Sequence, residues 1–162
     1  SLGQGLSVAV GVAQAKKLAN DNHLVYVLMG DGEQEEGQIW EAAMYAPAKN
    51  VDNIVAIVDY NKKQIDGPTD DVLTLGDLRA KYESFGWRVW ECNGNDMQEL
   101  VDTFNKIREN AHKGQSQILL AHTEMGMGVD FMMGTHKWHG VAPNDEQAAN
   151  ALSQLKETLG DY

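Results

Sequence analysis

Residues 24–61 decide the fold of this chain: LVYVLMGDGEQEEGQIWEAAMYAPAKNVDNIVAIVDYN. The stretch contains two apolar runs. Gly30 follows the first, residues 24–29, and Asn61 follows the second, residues 53–60. Both runs are short and rich in β-branched or aromatic residues, and they predict buried parallel strands. Residues 35–49 between them are long enough for a crossover helix. Such a connection brings the ends of both strands to the same edge of a sheet.

Two oxygen-bearing side chains come directly after these predicted strands. Asp31 follows the first strand and Asn61 follows the second. Open α/β sheets bind ligands at this carboxyl edge, and carboxylate and amide oxygens suit Mg²⁺ or Ca²⁺. Gly32 lets the backbone approach closely enough for its N–H to contact a phosphate. Gly-Asp-Gly alone is typical of an ordinary turn, so the position of Asn61 is what favours a metal and phosphate site.

The rest of the chain alternates helical and strand patterns, which predicts an α/β fold: a mainly parallel sheet with helices on both faces. Further helices are predicted over residues 6–19 and 74–84, and further strands over 87–92 and 118–123, with a loop through residues 64–71. Asp96 and Glu99 resemble a capping box for a helix whose apolar face holds Met97, Leu100, Val101, Phe104 and Ile107. Asn144 and Gln147 predict the cap of a last helix with a buried stripe of Ala148, Leu152, Leu155 and Leu159.

Composition narrows the class of protein. The 162 residues are 43% hydrophobic, enough for one sizeable core. A formal net charge of −11 argues against a nucleic-acid or anionic-membrane surface, because either needs clustered Lys and Arg. Cys92 is the single cysteine, which excludes an internal disulfide and suits a reducing compartment. No apolar run reaches the length of a membrane span, so we expect a cytoplasmic protein.

Several stretches of the sequence together resemble a known family. The unit from Gly30-Asp31-Gly32 to Asn61 resembles the thiamine diphosphate motif, and four stretches resemble transketolase in transketolase order: SLGQGLSVAVG, GDGEQEEGQIWEAAMYA, QIDGPT and THKWHGVAPN. The resemblance implies the thiamine diphosphate-binding fold, as a single cofactor- and metal-binding domain over residues 1–162. Because the chain opens within a motif and without Met, we interpret it as lacking the N-terminal part of that domain.

The resemblance also implies the residues that hold the cofactor. The metal ion, Mg²⁺ or Ca²⁺, would take the side chains of Asp31 and Asn61 and the main-chain carbonyl of Lys63. The residues implied in binding thiamine diphosphate are Ser1, Leu2, Gly30, Asp31, Gly32, Asn61 and His139. Without the family, His139 is interpreted as a loop histidine with a satisfied hydrogen bond.

The implied reaction is transfer of a two-carbon ketol unit from a ketose phosphate to an aldose phosphate. His139 would contact both the diphosphate and the reacting substrate. Glu36 and Glu41 match transketolase glutamates at the dimer interface, where burial of two like charges would raise at least one pKa and allow proton sharing; otherwise they form a solvated acidic surface. The implied partner is a pyrimidine-binding domain or subunit, in a homodimer or heterotetramer.

Other interpretations stay open from the sequence. The chain could belong to another thiamine diphosphate enzyme, such as deoxyxylulose phosphate synthase or a dehydrogenase E1 component. It could be a metal-diphosphate binding module that is inactive until paired, or an α/β domain with no cofactor. Met125 stands where several transketolases carry Lys, which puts a phosphate contact there in doubt. His136 and His139 lack a third ligand of matching character nearby in the sequence, which argues against zinc.

Overall fold

The strands form one parallel sheet and a small hairpin, in a computed structural model that describes residues 2–156. They are β1 (Val25–Gly30), β2 (Ile54–Tyr60), β3 (Lys63–Gln64), β4 (Gly67–Pro68), β5 (Arg88–Asn93) and β6 (Gln117–His122). The sheet has the spatial order β1-β2-β6-β5 with every pair parallel, and β3 pairs antiparallel with β4. The carboxyl ends of the four long strands therefore meet at one edge.

Helices connect the strands. They are α1 (Gly5–Leu18), α2 (Gly37–Ala48), α3 (Thr69–Leu73), α4 (Leu78–Phe85), α5 (Met97–Glu109) and α6 (Asp145–Gln154), with a 3₁₀ turn over Gly32–Glu35. Helix α2 is the crossover predicted between β1 and β2. None of these helices is both long and apolar enough to cross a membrane. The predicted α/β architecture, with a parallel sheet flanked by helices, is confirmed.

The larger core lies between the sheet and helices α1, α2 and α4. Helix α1 buries Leu6 and Ala13, and α2 buries Ile39 and Ala46, all without exposed surface. The buried residues of each helix recur at helical spacing, so one face of the helix is directed to the sheet. Small side chains on α1 and α2 let the two helices pack closely together.

The second face of the sheet is covered by α5, whose Ile107 packs with Leu119 of β6 in a smaller core. Helix α5 contacts mainly β5, at the far edge from β1. On this face of β1, Tyr26 is 48% exposed and Leu28 is 71% exposed. The prediction that the first strand is buried is therefore wrong for these two residues.

The segment between β2 and α4 is more structured than the predicted loop. It forms the β3–β4 hairpin and α3. Thr74 ends α3, and its hydroxyl accepts from Gly76 N–H instead of starting a helix. Helix α4 begins after Asp77, whose carboxylate accepts from Ala80 N–H at 2.8 Å. The predicted start at Thr74 is therefore wrong, because Asp77 caps the helix one turn later.

The caps of the last two helices were predicted more accurately than their buried faces. Asp96 accepts from two N–H groups of α5, but Glu99 accepts from Asn93 N–H and does not complete the predicted capping box. Asn144 and Gln147 form the reciprocal capping box on α6. The predicted stripe on α6 is wrong, because Ala151 is the residue that this helix buries. The residues of the two predicted apolar faces that are found exposed are Met97, Val101, Leu152 and Leu155. Leu159 lies outside the described residues.

Candidate functional site

Asp31 lies at the carboxyl end of β1 and is almost fully buried, with 1% of its surface exposed. One carboxylate oxygen accepts from Gly32 N–H at 2.7 Å, and the other accepts from Lys62 N–H just beyond β2. The side chain therefore joins the Gly-Asp-Gly turn to the end of the neighbouring strand. Lys62 has a φ of +60°, which turns the backbone sharply at this point.

Asn61 lies at the end of β2, adjacent to β1 in the sheet. Its Oδ1 accepts from Lys63 N–H at 2.8 Å, and its Nδ2 donates to Asp59 Oδ2 at 3.3 Å. Asp59 also accepts from the Thr123 hydroxyl at the end of β6. The ends of three adjacent strands thus contribute polar side chains to one edge of the sheet. Asp59 and Thr123 belong to this group of side chains and were not predicted from the sequence.

Burial raises the pKa of the Asp31 carboxyl, although the Lys62 and Gly32 N–H groups oppose the shift, and the nearby Asp59 charge raises it further. The ionised form is therefore less favourable here than in water. A cation beside the carboxylate would offset that penalty. The penalty for ionising Asp31 therefore favours binding of a divalent metal. It arises from the burial of Asp31 and not from its sequence motif.

A cavity of about 400 Å³ opens at this edge of the sheet. Its lining combines apolar residues from the strands with polar residues from the strand ends: Leu28, Ile57, Asp59, Asn61, Asn95, Ala121, Thr123, Glu124, Met125 and Gly126. Met125 is in this lining, so the chain presents a thioether where several transketolases carry Lys. An apolar pocket with a few convergent polar groups is the usual form of a cofactor site.

Glu124 connects two loops that border the cavity. Its Oε1 accepts from Lys63 Nζ at 3.1 Å and from Gly134 N–H at 2.8 Å. These two contacts also hold the pKa of Glu124 below its usual range, with the Gly134 N–H as the larger cause. The loop after β6 is thereby joined to the residue whose carbonyl is a predicted metal ligand.

Gly126 is needed in this loop for both conformation and space. Its φ is +74°, and a Cβ there would lie 2.5 Å from Met132 Cβ and 2.9 Å from the Met132 carbonyl carbon. We expect Gly126→Ala to lower the free energy of unfolding by about 2 kcal/mol, because the backbone must leave its conformation to avoid the clash. Chemical denaturation measures the change.

The control for this substitution is Gly11→Ala. Gly11 lies inside α1, and a Cβ there meets nothing within 4 Å. This variant should unfold at the same or a slightly higher denaturant concentration than the unmodified chain. Equal stability of Gly126→Ala and the unmodified chain would show that the loop tolerates a side chain at Gly126.

Gly32 has a different requirement. A Cβ on Gly32 would lie 2.8 Å from Gln64 Oε1, and Gln64 in turn donates from Nε2 to Glu35 at 3.1 Å. The β3–β4 hairpin therefore packs directly on the turn, and glycine allows that contact. The Gly32 N–H donates to Asp31, so its contact with a diphosphate stays a prediction.

The start of the chain is fixed to the same turn by Glu33, whose role was not predicted from the sequence. Its Oε1 accepts from Gly3 N–H at 2.8 Å and its Oε2 accepts from Gly30 N–H at 3.1 Å. Leu2, the preceding residue, is 73% exposed. Ser1 lies outside the described residues, and the cofactor contacts of Ser1 and Leu2 stay predictions.

His139 lies in the loop between β6 and α6 and is exposed. Its backbone N–H donates to His136 O at 2.8 Å. Within residues 2–156, no hydrogen bond joins it to Asp31 or Asn61. The same range holds no group of three His, Cys, Asp or Glu side chains placed to bind a metal ion. The predicted metal site instead combines one carboxylate with amide and carbonyl oxygens.

Glu36 and Glu41 are both exposed in this chain. Glu36 is the residue before α2, and Glu41 lines a shallow groove between α1 and α2 together with Gln14 and Tyr45. The predicted sharing of a proton requires burial, which the described residues 2–156 do not give to either carboxylate. Their interface role stays a prediction.

Known proteins resemble this chain over nearly its whole length. Residues 1–160 match the family described as transketolase, thiamine diphosphate binding domain. The chain is 43% identical over 159 residues to an apulose-4-phosphate transketolase subunit of Phocaeicola vulgatus, and the match covers 98% of this chain and 56% of that protein. It is 37% identical over 157 residues to 6-deoxy-6-sulfo-D-fructose transketolase subunit SqwG of a Clostridium species, covering 97% and 56%. The chain spans about half the length of these curated relatives.

Solved structures have the same fold. A transketolase from Campylobacter jejuni superposes with a TM-score of 0.85 at 30% identity, covering 94% of this chain and 25% of that one. A transketolase from Pichia stipitis, in a complex with xylulose 5-phosphate, superposes with a TM-score of 0.84 at 26% identity, covering 94% and 24%. The similarity therefore extends from sequence to topology.

Proposed function

Because this chain belongs to the transketolase family through its thiamine diphosphate-binding domain, we propose that it binds thiamine diphosphate with Mg²⁺ or Ca²⁺ and serves in ketol transfer. The reaction would move a two-carbon unit from a ketose phosphate to an aldose phosphate. The observation that carries the proposal is the pair Asp31 and Asn61 at the carboxyl ends of adjacent parallel strands. Ligands of α/β sheets bind at this edge.

The chemistry of the donor set fits a hard divalent cation. The proposed ligands are the Asp31 carboxylate, Asn61 Oδ1 and the Lys63 carbonyl, all oxygens. Asp31 is a buried carboxylate with a raised pKa, which a cation would stabilise in its ionised form. Donation from Asn61 Nδ2 to Asp59 fixes the orientation of the amide, and Oδ1, which accepts from Lys63 N–H, keeps a second lone pair for a cation. The burial of Asp31 and the oxygens of Asp31 and Asn61 support a metal site independently of the family, whereas the Lys63 carbonyl is implied by the family resemblance.

The other residues of the proposed site bind and orient. The N–H of Gly32 would donate to the diphosphate, while Gly30, Ser1 and Leu2 would border the cofactor. His139 would donate a hydrogen bond to the diphosphate and contact the substrate, from a loop whose base Glu124 fastens at Gly134. When bound, thiamine diphosphate would supply a nucleophilic carbon that adds to the donor carbonyl and a thiazolium ring that delocalises the electron pair released by C–C cleavage.

The proposed partner is a pyrimidine-binding domain or subunit, in a homodimer or heterotetramer. Two relatives are named as transketolase subunits, which supports an assembly from separate chains. Glu36 and Glu41 would lie in the interface, where their exposed carboxylates become buried. We propose a cytoplasmic location, which suits one buried thiol.

The proposal is tested by titrating thiamine diphosphate and Mg²⁺ into the chain, alone and combined with the pyrimidine-binding partner. Calorimetry follows binding, and a coupled assay follows ketol transfer between sugar phosphates. Binding and turnover in the combined sample are the expected result. Binding without ketol transfer would indicate another thiamine diphosphate enzyme or a binding module. Absence of binding in both samples would contradict the proposed function.

A further inference from the structure

A buried side-chain amide lies behind the Gly-Asp-Gly turn. Gln34 has no exposed surface, and its Nε2 donates to the carbonyl of Gly30 at 2.9 Å. That carbonyl belongs to the peptide group that joins Gly30 to Asp31. Gln34 therefore fixes the orientation of the peptide group that directly precedes the Cα atom of Asp31.

The other end of the amide is held by a tyrosine from a distant element. Tyr82 of α4, also without exposed surface, donates its hydroxyl to Gln34 Oε1 at 2.6 Å. Burial raises the pKa of Tyr82, so its hydroxyl keeps its proton and remains a donor at physiological pH. The hydrogen-bonded series runs from Tyr82 through Gln34 to the Gly30 carbonyl, and it connects α4 to the end of β1.

Aromatic packing fixes the position of Tyr82. Its ring centroid lies 5.6 Å from that of Trp40 on α2 and 5.6 Å from that of Trp87, the latter edge to face. Trp87 is itself held because its Nε1 donates to Ala43 O at 2.7 Å. These contacts hold the Tyr82 ring so that its hydroxyl is placed to donate to Gln34.

Burying a side-chain amide at this position costs free energy. Without partners it loses its hydration, whereas an apolar side chain of the same size would pack at no such penalty. Here the donor and the acceptor of Gln34 are both engaged, so the group contributes orientation instead of a penalty. Removing the Tyr82 hydroxyl would leave Gln34 Oε1 buried without a partner and free the amide to rotate.

We propose that Gln34 and Tyr82 are positioning residues that set the Gly30–Asp31 peptide in the orientation that binds the metal and diphosphate. The inference rests on the proposed function, because it concerns the same turn. Neither side chain touches the cofactor in this proposal. Both act through the main chain of the turn.

The first test needs no cofactor. Hydrogen exchange of the Gly32, Gln34 and Lys62 amides reports on the turn, because all three donate to Asp31. Tyr82→Phe should raise their exchange rates severalfold. Tyr26→Phe, which removes a hydroxyl from a 48% exposed tyrosine on β1, should leave them unchanged. Equal exchange in Tyr82→Phe and the unmodified chain would overturn the inference.

The second test measures affinity for thiamine diphosphate at saturating Mg²⁺ in the chain combined with its partner. Tyr82→Phe should weaken it about tenfold. Gln34→Met/Tyr82→Phe, which removes the hydroxyl together with the amide oxygen that it would leave unpaired, should recover part of the thermal stability but not the affinity, and it serves also if Tyr82→Phe folds poorly. Full affinity in the double variant would assign the pair a purely structural role and overturn the inference. If the unmodified protein binds no cofactor, the proposed function fails while the exchange result still decides the role of the pair in the turn.

Discussion

Asp31→Ala should abolish the stabilisation that thiamine diphosphate and Mg²⁺ give to the protein. A ligand present at about 100 times its Kd stabilises the native state by about 2.7 kcal/mol, and that increment should disappear in the variant. The reason is that Asp31 is the one carboxylate of the proposed metal ligands, and the amide and carbonyl oxygens alone bind a divalent ion weakly. Thermal unfolding with and without both ligands, in the chain combined with its partner, measures the loss.

The same residue makes a prediction about pH in the metal-free protein. Because the folded pKa of Asp31 is raised above its ordinary value of 3.8, this group favours the folded state below that value. Its contribution to the free energy of unfolding is lost as the pH rises through the raised pKa, and Mg²⁺ should reverse the loss.

Asp71→Ala is the control for Asp31→Ala, since Asp71 is an exposed aspartate on α3. An undiminished ligand-induced shift in Asp31→Ala would contradict the metal assignment.

His139→Ala should lower ketol-transfer turnover about 100-fold in the assembled enzyme. The side chain is exposed in this chain and available to a substrate, and its proposed role is to hydrogen-bond both the diphosphate and the reacting sugar. Binding of Mg²⁺ should be unchanged, because the metal ligands lie on other loops. Steady-state kinetics and calorimetry separate these two effects.

His112→Ala is the matched control for this variant. His112 is an exposed histidine before β6, at the amino end of the sheet, where its N–H donates to Asp52 O. It should retain full turnover. Equal activity of His139→Ala and His112→Ala would leave His139 as an ordinary loop histidine.

Much of the fold was predictable because its strands and crossover helix carry local signals. The apolar runs before Asp31 and Asn61 predicted β1, β2 and their common edge. The hairpin and α3 were missed, because two-residue strands have no periodicity and Gly67 and Pro68 indicate only a turn. The face of α6 was wrong because Leu152 is apolar and yet 70% exposed. Burial depends on what packs against a helix and not on its pattern alone.

The position of a candidate site residue was predictable where that residue follows a strand directly. Asp31 and Asn61 belong to that class, and the spacing brings their strand ends together. Glu33, Asp59 and Tyr82 were not found, because their roles depend on contacts across the fold. Tyr82 reaches Gln34 across 48 residues of sequence, and no local pattern encodes that pairing.

The exposed side of β1 has a consequence for the colloidal behaviour of the protein. In the described part of the chain, β1 pairs on one edge only, and Leu28 within this strand is 71% exposed. An open strand edge with apolar neighbours is a template for pairing between copies. The net charge of −11 opposes such contact at low ionic strength, and salt screens that repulsion. We therefore expect the isolated chain to self-associate least in dilute, low-salt buffer.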